Sequence, residues 1–167
     1  MKKIILSVGL LFFAGSIFAQ NPIAKGQSQL NAGFGFSNWG LPVYFGVDYG
    51  IHEDITLGGE ISTRAYHDYW RGERYNHNIM SISGNANFHF NRVLAIPPTW
   101  DLYAGLNVGF FIWNSPDDYH YDNHASGLGM GLQLGVRYYF SDKLGINMEF
   151  GGANAFSGGK IGISIRL

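Results

Sequence analysis

The densest run of reactive side chains in this sequence is Asp117-Asp118-Tyr119-His120-Tyr121-Asp122-Asn123-His124. Asp118, His120, Asp122 and His124 stand two apart, so an extended backbone would line carboxylates and imidazoles along one side, the donor set a divalent transition metal takes. The same residues are turn formers, and a solvated loop tip is the reading carried forward, with no metal expected. His124 and Ser126 have the base and nucleophile chemistry of acyl transfer, but that chemistry needs a third group to orient the base. No carboxylate is placed for it by spacing. Paired-carboxylate, phosphate-loop and zinc-protease patterns are missing from the sequence, so neither catalytic residues nor a cofactor are expected.

A second set of charged residues is scattered but follows a rule. Asp48, Glu60, Arg64, Arg137, Glu149 and Arg166 each sit where apolar and polar residues alternate. In the last eight residues, Ile161, Ile163, Ile165 and Leu167 alternate with Gly162, Ser164 and Arg166. A strand sends successive side chains to opposite faces, so such a segment has one apolar face and one polar face. The alternation predicts eight strands at about 27–36, 42–50, 55–66, 78–90, 100–113, 128–140, 144–153 and 160–167. The polar face is mostly Gly, Ser, Asn and Gln with few charges, which suits a cramped interior better than a wet surface. The expected fold is therefore all-β, an eight-stranded antiparallel up-and-down transmembrane β-barrel, its apolar face toward lipid.

The connections fall into two sets. Tight turns are expected at 52–54 and 141–143, and long polar loops at 66–77 and 114–126, matching the short periplasmic turns and longer external loops of such barrels. The 91–99 link, with Pro97 and Pro98, is expected as a long periplasmic turn, and 38–41 as a short external one. Tyr49, Phe88, Phe90, Trp100, Tyr138, Tyr139 and Phe140 are expected in a periplasmic-side aromatic girdle. In the external loops, Tyr69, Trp70, Arg71, Arg74, Tyr75, Tyr119 and Tyr121 mix aromatic and basic groups of the kind found at binding surfaces.

Lys2 and Lys3, an apolar run to Phe18 and the small Ala19 describe a secretory signal, removed from the mature chain. Residues 20–167 then form one domain. With no cysteine there is neither a disulfide staple nor a lipoprotein anchor. Charged residues make up 14% of the chain, against roughly 25% in an ordinary soluble domain, as expected of a wall facing lipid. A net charge of −1 gives no basic field to attract nucleic acid.

Gly46-Val47-Asp48-Tyr49-Gly50, Ile55-Thr56-Leu57-Gly58-Gly59-Glu60 and Gly135-Val136-Arg137-Tyr138-Tyr139-Phe140-Ser141-Asp142-Lys143-Leu144-Gly145 resemble the small outer-membrane β-barrel family that includes the OmpA membrane domain and OmpX. The resemblance covers essentially the whole mature chain. It implies a Gram-negative outer membrane, contact with its lipid and lipopolysaccharide, and insertion by the barrel assembly machinery. The His124-x-Ser126 spacing resembles the outer-membrane lipid A deacylase family, although Gly127 stands where that family has Asn. The expected function is non-enzymatic, structural or surface-interacting through the external loops. The alternatives are an accessory subunit of a larger outer-membrane complex, favoured by outward Ala32, Gly59, Gly84, Ala86, Ala104 and Gly152, and a deacylase-like enzyme. In the narrow lumen, ions are stable only when paired. Glu60 and Glu149 are expected to meet Arg137, Arg64 and Arg166 across it, with His89 nearby, closing the interior.

Overall fold

The computed structural model describes residues 23–37, 40–70, 73–114, 126–153 and 158–167, so the expected signal at 1–19 lies outside the described residues. Eight strands follow in order: β1 Ser28–Ser37, β2 Val43–His52, β3 Ile55–Trp70, β4 Glu73–His89, β5 Trp100–Asn114, β6 Gly127–Tyr139, β7 Leu144–Ala153 and β8 Gly158–Arg166. Each pairs antiparallel with its sequence neighbour, and β1 pairs with β8 from Gln29↔Arg166 to Ser37↔Gly158, closing the barrel. Closure is what lipid demands, because an unpaired backbone group in hydrocarbon costs several kcal/mol.

The two faces separate as the alternation predicts. Along β2, Val43, Phe45, Val47 and Tyr49 are exposed on the outer wall, while Tyr44, Gly46, Asp48 and Gly50 are buried inside. The interior holds Gln29, Thr56, His89, Asp101 and Ser164, all at 0% exposure, whereas Ile82, Leu132 and Ile163 are each more than half exposed on the outside. The burial order of a water-soluble domain is thus inverted, and the outer wall needs an apolar solvent.

Three features differ from the sequence expectation. The expected loop at 66–77 is mostly a continuation of the ladder: Tyr66 pairs with His77, Tyr69 with Arg74 and Trp70 with Glu73. Tyr69, Trp70, Arg74 and Tyr75 therefore lie on strands, and the aromatic composition that suggested a binding loop is also strand-forming, so nothing in it ends the pairing. In the 91–99 link a short helix, α1, spans Asn91–Leu94 and stops at Ala95, whose φ of 51° is left-handed, ahead of Pro97 and Pro98. The buried Asn91 side chain donates to the Trp100 carbonyl at 2.6 Å and ties this helix to β5. Finally, Tyr139 turns inward at 3% exposure and leaves the girdle, which keeps Tyr49, Phe88, Trp100, Tyr138 and Phe140 exposed.

The wall is uneven in height. β1, β2, β7 and β8 have 9 or 10 residues, about the length needed to cross hydrocarbon when tilted. β3, β4 and β5 have 15 to 17, and their excess projects at the end where β3 meets β4. At the opposite end the β2–β3 turn is bound to α1: Arg92 Nη2 meets Asp54 Oδ2 at 2.7 Å, and Arg92 also pairs with Glu53. The Asp54 hydrogen bond, then its charge, holds the Arg92 guanidinium above its ordinary pKa.

Ile82, 62% exposed, faces mid-wall between Ile61 and Phe110. Ile82→Arg should destabilise the barrel in vesicles by about 2–4 kcal/mol, the depth-dependent cost of a charge on the lipid face. Val93→Arg, on α1 beyond the wall, should change stability by less than about 1 kcal/mol. Urea unfolding in lipid vesicles followed by tryptophan fluorescence measures both.

Candidate functional site

The inward charges meet in two stacked clusters. The lower one is built on Arg137, carried by β6 and 3% exposed. Its Nη2 bonds Asp48 Oδ2 on β2 at 2.7 Å and its Nη1 bonds Asp101 Oδ2 on β5 at 2.9 Å. Asp101 Oδ1 lies 2.7 Å from His89 Nδ1, and His89 Nε2 lies 3.0 Å from the Thr56 hydroxyl. Asp48 Oδ2 also accepts from Asn31 Nδ2 at 2.9 Å. One guanidinium thus joins strands on opposite sides of the barrel, its planar fork offering a separate nitrogen to each carboxylate.

The upper cluster is built on Lys160 of β8. Its Nζ lies 2.7 Å from Glu60 Oε2 on β3 and 2.7 Å from Glu149 Oε1 on β7. Tyr103 links the two levels: its hydroxyl donates to Glu149 Oε2 at 2.8 Å, and its ring lies under the Arg137 guanidinium, 4.2 Å from the centroid. Gly135 makes this possible, because a Cβ there would collide with the Tyr103 ring. Amide side chains bridge the remaining width: Asn107 donates to Gln133 at 3.0 Å, Gln133 to Asn87 at 2.6 Å and Asn87 to Asn85 at 3.3 Å. On the other side Tyr44 donates to Asn147 at 2.6 Å and Asn147 to Ser164 at 2.9 Å.

The partners are not the ones expected. Glu60 and Glu149 meet Lys160 rather than an arginine, and Arg137 meets two aspartates. Arg166 sits at the turn end, donating to the carbonyls of Asp142 and Pro98 at 3.2 Å each and stacking on the Tyr139 ring at 3.4 Å. Arg64 lies toward the loop end and donates to Ser37 Oγ at 3.1 Å, with no carboxylate paired to it among the described residues. Sequence reasoning passed over Lys160 and Asp101 although both were legible: Lys160 has the parity of Gly162 and Ser164, and Asp101 that of Tyr103 and Asn107. What parity cannot give is height, since the pairing of ions depends on how far each strand is staggered around the barrel.

Of the external-loop candidates, Arg71, Tyr119 and Tyr121 lie outside the described residues, as do Asp118, His120, Asp122 and His124. Ser126, the nucleophile of the acyl-transfer alternative, accepts the Trp113 backbone N–H on its hydroxyl at 3.0 Å, the contact of a strand-end brace. Among the described residues no cluster of His, Asp and Glu is arranged to hold a metal.

This geometry is that of a small transmembrane β-barrel with a braced interior, and solved structures bear out the class. OprG of Pseudomonas aeruginosa, an outer-membrane protein, superposes with a TM-score of 0.63 at 8% identity, over 90% of this chain and 99% of its own. The N-terminal barrel domain of Pseudomonas aeruginosa OprF gives 0.54 at 15% identity, over 86% and 98%. Ail, the attachment invasion locus protein of Yersinia pestis, in complex with the heparin analogue sucrose octasulfate, gives 0.54 at 12% identity, over 86% and 100%. The chain therefore has the fold of the small eight-stranded outer-membrane β-barrels, the architecture of the OmpA membrane domain and OmpX. No protein-family model matches the sequence, and no curated protein matches it.

Removing Arg137 leaves Asp48 and Asp101 buried without their cation. Arg137→Met should cost about 3–5 kcal/mol, the usual penalty for breaking a buried ion pair from one side. Adding Asp48→Asn and Asp101→Asn should recover most of that loss. The coupling is read from urea midpoints in vesicles at constant slope.

Proposed function

We propose that this chain is a non-enzymatic protein of a Gram-negative outer membrane, with a structural or surface-interaction role exercised through its loop end and with its lumen closed by its own side chains. The observation that carries this reading is the pair of clusters centred on Arg137 and Lys160. An eight-stranded barrel is only wide enough to be filled by its side chains, and here the filling is held by charge-assisted bonds of 2.7–2.9 Å spanning β2, β3, β5, β6, β7 and β8. A hydrated ion crossing the barrel would have to part both clusters. Buried ions left unpaired in this way are costly, so the clusters act as a brace rather than as a path.

The tall β3–β4 hairpin supports a role at the surface. It carries Tyr69, Trp70, Arg74 and Tyr75 beyond the height of the neighbouring β1–β2 pair, and aromatics together with arginine are the composition of binding surfaces. Ail, a barrel of the same fold, is an attachment and invasion protein by name. Lipopolysaccharide and the barrel assembly machinery are the partners this reading implies.

A second reading, an accessory subunit of a larger outer-membrane complex, is favoured by one feature of the outer wall. Gly59 and Gly84 face each other across β3 and β4, and a Cβ at either would meet nothing closer than 3.7 Å. Internal packing does not require glycine at these two positions. Their smoothness would allow another wall to approach closely, as small residues do at membrane interfaces.

In planar bilayers the purified protein should show no stepwise conductance, and the double variant Arg137→Gly, Lys160→Gly should conduct. Stepwise currents from the unaltered protein would sink the closed-lumen reading. Because the chain has no cysteine, single substitutions report topology. A membrane-impermeant maleimide should label His67→Cys on intact cells and leave Lys143→Cys unlabelled, and the reverse would place the loop end on the wrong side. Recovery of a stoichiometric large partner from mildly solubilised native membranes would favour the subunit reading; recovery of the barrel alone would favour the first.

A further inference from the structure

We infer that the outer half of the lumen is a blind cup that binds a small oxyanion on Arg64. This goes beyond the closed-lumen reading and does not depend on what the loops contact. Above the Lys160 cluster the interior contains a cavity of about 70 Å³, lined by Arg64, Ser62, Ser83, Asn85 and Asn107. A single water needs about 10–15 Å³ of such space, so the cavity has room for a five-atom oxyanion with a few waters and is too small for an oligosaccharide.

Two buried polar atoms in this cup lack partners. Arg64 is 5% exposed, its Nη1 donates to Ser37 Oγ, and its Nε is buried with no hydrogen-bond acceptor. Asn107 donates through Nδ2 to Gln133, which leaves its buried Oδ1 without a donor. The same chain of amides continues through Gln133 and Asn87 to Asn85. A buried guanidinium without a counter-ion is costly, and the group that satisfies it best is a planar or tetrahedral oxyanion taken by its fork of donors.

The neighbouring charges define which anion. Lys160 is already committed to Glu60 and Glu149, so the floor of the cup has one cation for two carboxylates and repels an anion that tries to go deeper. An oxyanion is therefore held at the level of Arg64 and does not cross. A tetrahedral oxyanion such as hydrogen phosphate can set two oxygens against the free side of the Arg64 fork, including its unpartnered Nε. A phosphomonoester on a lipid headgroup offers the same chemistry from the membrane surface.

The test uses the full mature chain folded in maltoside micelles, which contain no phosphate, with folding checked by the heat-dependent shift in gel mobility. Inorganic phosphate is titrated by phosphorus NMR, and dihexanoyl phosphatidic acid is titrated in parallel as the headgroup probe. The unaltered protein should bind phosphate saturably, Arg64→Gln should weaken that binding at least tenfold, Arg64→Lys should weaken it less, and Arg92→Gln should leave it unchanged. Binding of dihexanoyl phosphatidic acid alone, lost in the Arg64 variants, would support the cup and assign its ligand to lipid. No saturable binding of either probe to the unaltered protein, or equal binding after Arg64 substitution, would overturn it. If Arg64→Gln does not fold, Arg64→Lys and the unaltered protein decide the matter.

Discussion

Hydrocarbon offers no partner to a peptide N–H or C=O, so a sheet that enters a bilayer must satisfy its own backbone and leave no edge. The pairing of β1 with β8, nine residues deep from Gln29 to Ser37, is the contact that meets this demand here. Everything else follows from closing eight strands and no more. The interior becomes narrow, so it is filled by side chains; lipid takes the apolar face, so the filling is polar; and polar filling in a dry space must be bonded throughout. Arg137 and Lys160, each held between two carboxylates, are the outcome of that sequence of requirements.

The interior is graded along the axis. At the turn end Thr56, His89 and Asp101 are fully buried, and Arg166 caps the mouth by lying on Tyr139 and on two turn carbonyls. Arg64 and Asn107 each keep an unused polar atom beside a cavity, and nearer the turns Asn91, Arg137 and Arg166 keep one as well. The wall changes along the same axis, from bound turns at one end to a hairpin of unequal height at the other. This difference in wall height is why function is sought at the loop end.

Much of the fold could be read from single residues. The alternation of Val43, Phe45, Val47 and Tyr49 with Tyr44, Gly46 and Asp48 assigns the inside and the outside of β2 directly, because a strand has period two and lipid tolerates no charge. Three kinds of information were hidden. Which ions meet depends on stagger between strands, so Glu60 could not be assigned to Lys160, a hundred residues away, from parity alone. Where a ladder ends depends on pairing rather than composition, so the aromatic stretch from Tyr66 to His77 read as loop but folded as hairpin. Tyr139 had girdle chemistry and inward parity at once, and parity prevailed because its ring fills the lumen and its hydroxyl bonds Gln29. The loop candidates around Asp118 and His124 are a different matter, since they fall outside the described residues.

The central claim is that one face of every strand is wet by lipid tails and the other turns into the polar interior of the barrel. Spin labels placed singly at residues 43 to 50 of β2, in vesicles, measure it through their accessibility to oxygen, which concentrates in hydrocarbon, and to a water-soluble nickel complex. The account predicts that oxygen accessibility is high at positions 43, 45, 47 and 49 and low at 44, 46, 48 and 50, with nickel low throughout the middle of the strand. Loss of that two-residue period, or nickel access at the positions of Phe45 and Val47, would contradict it.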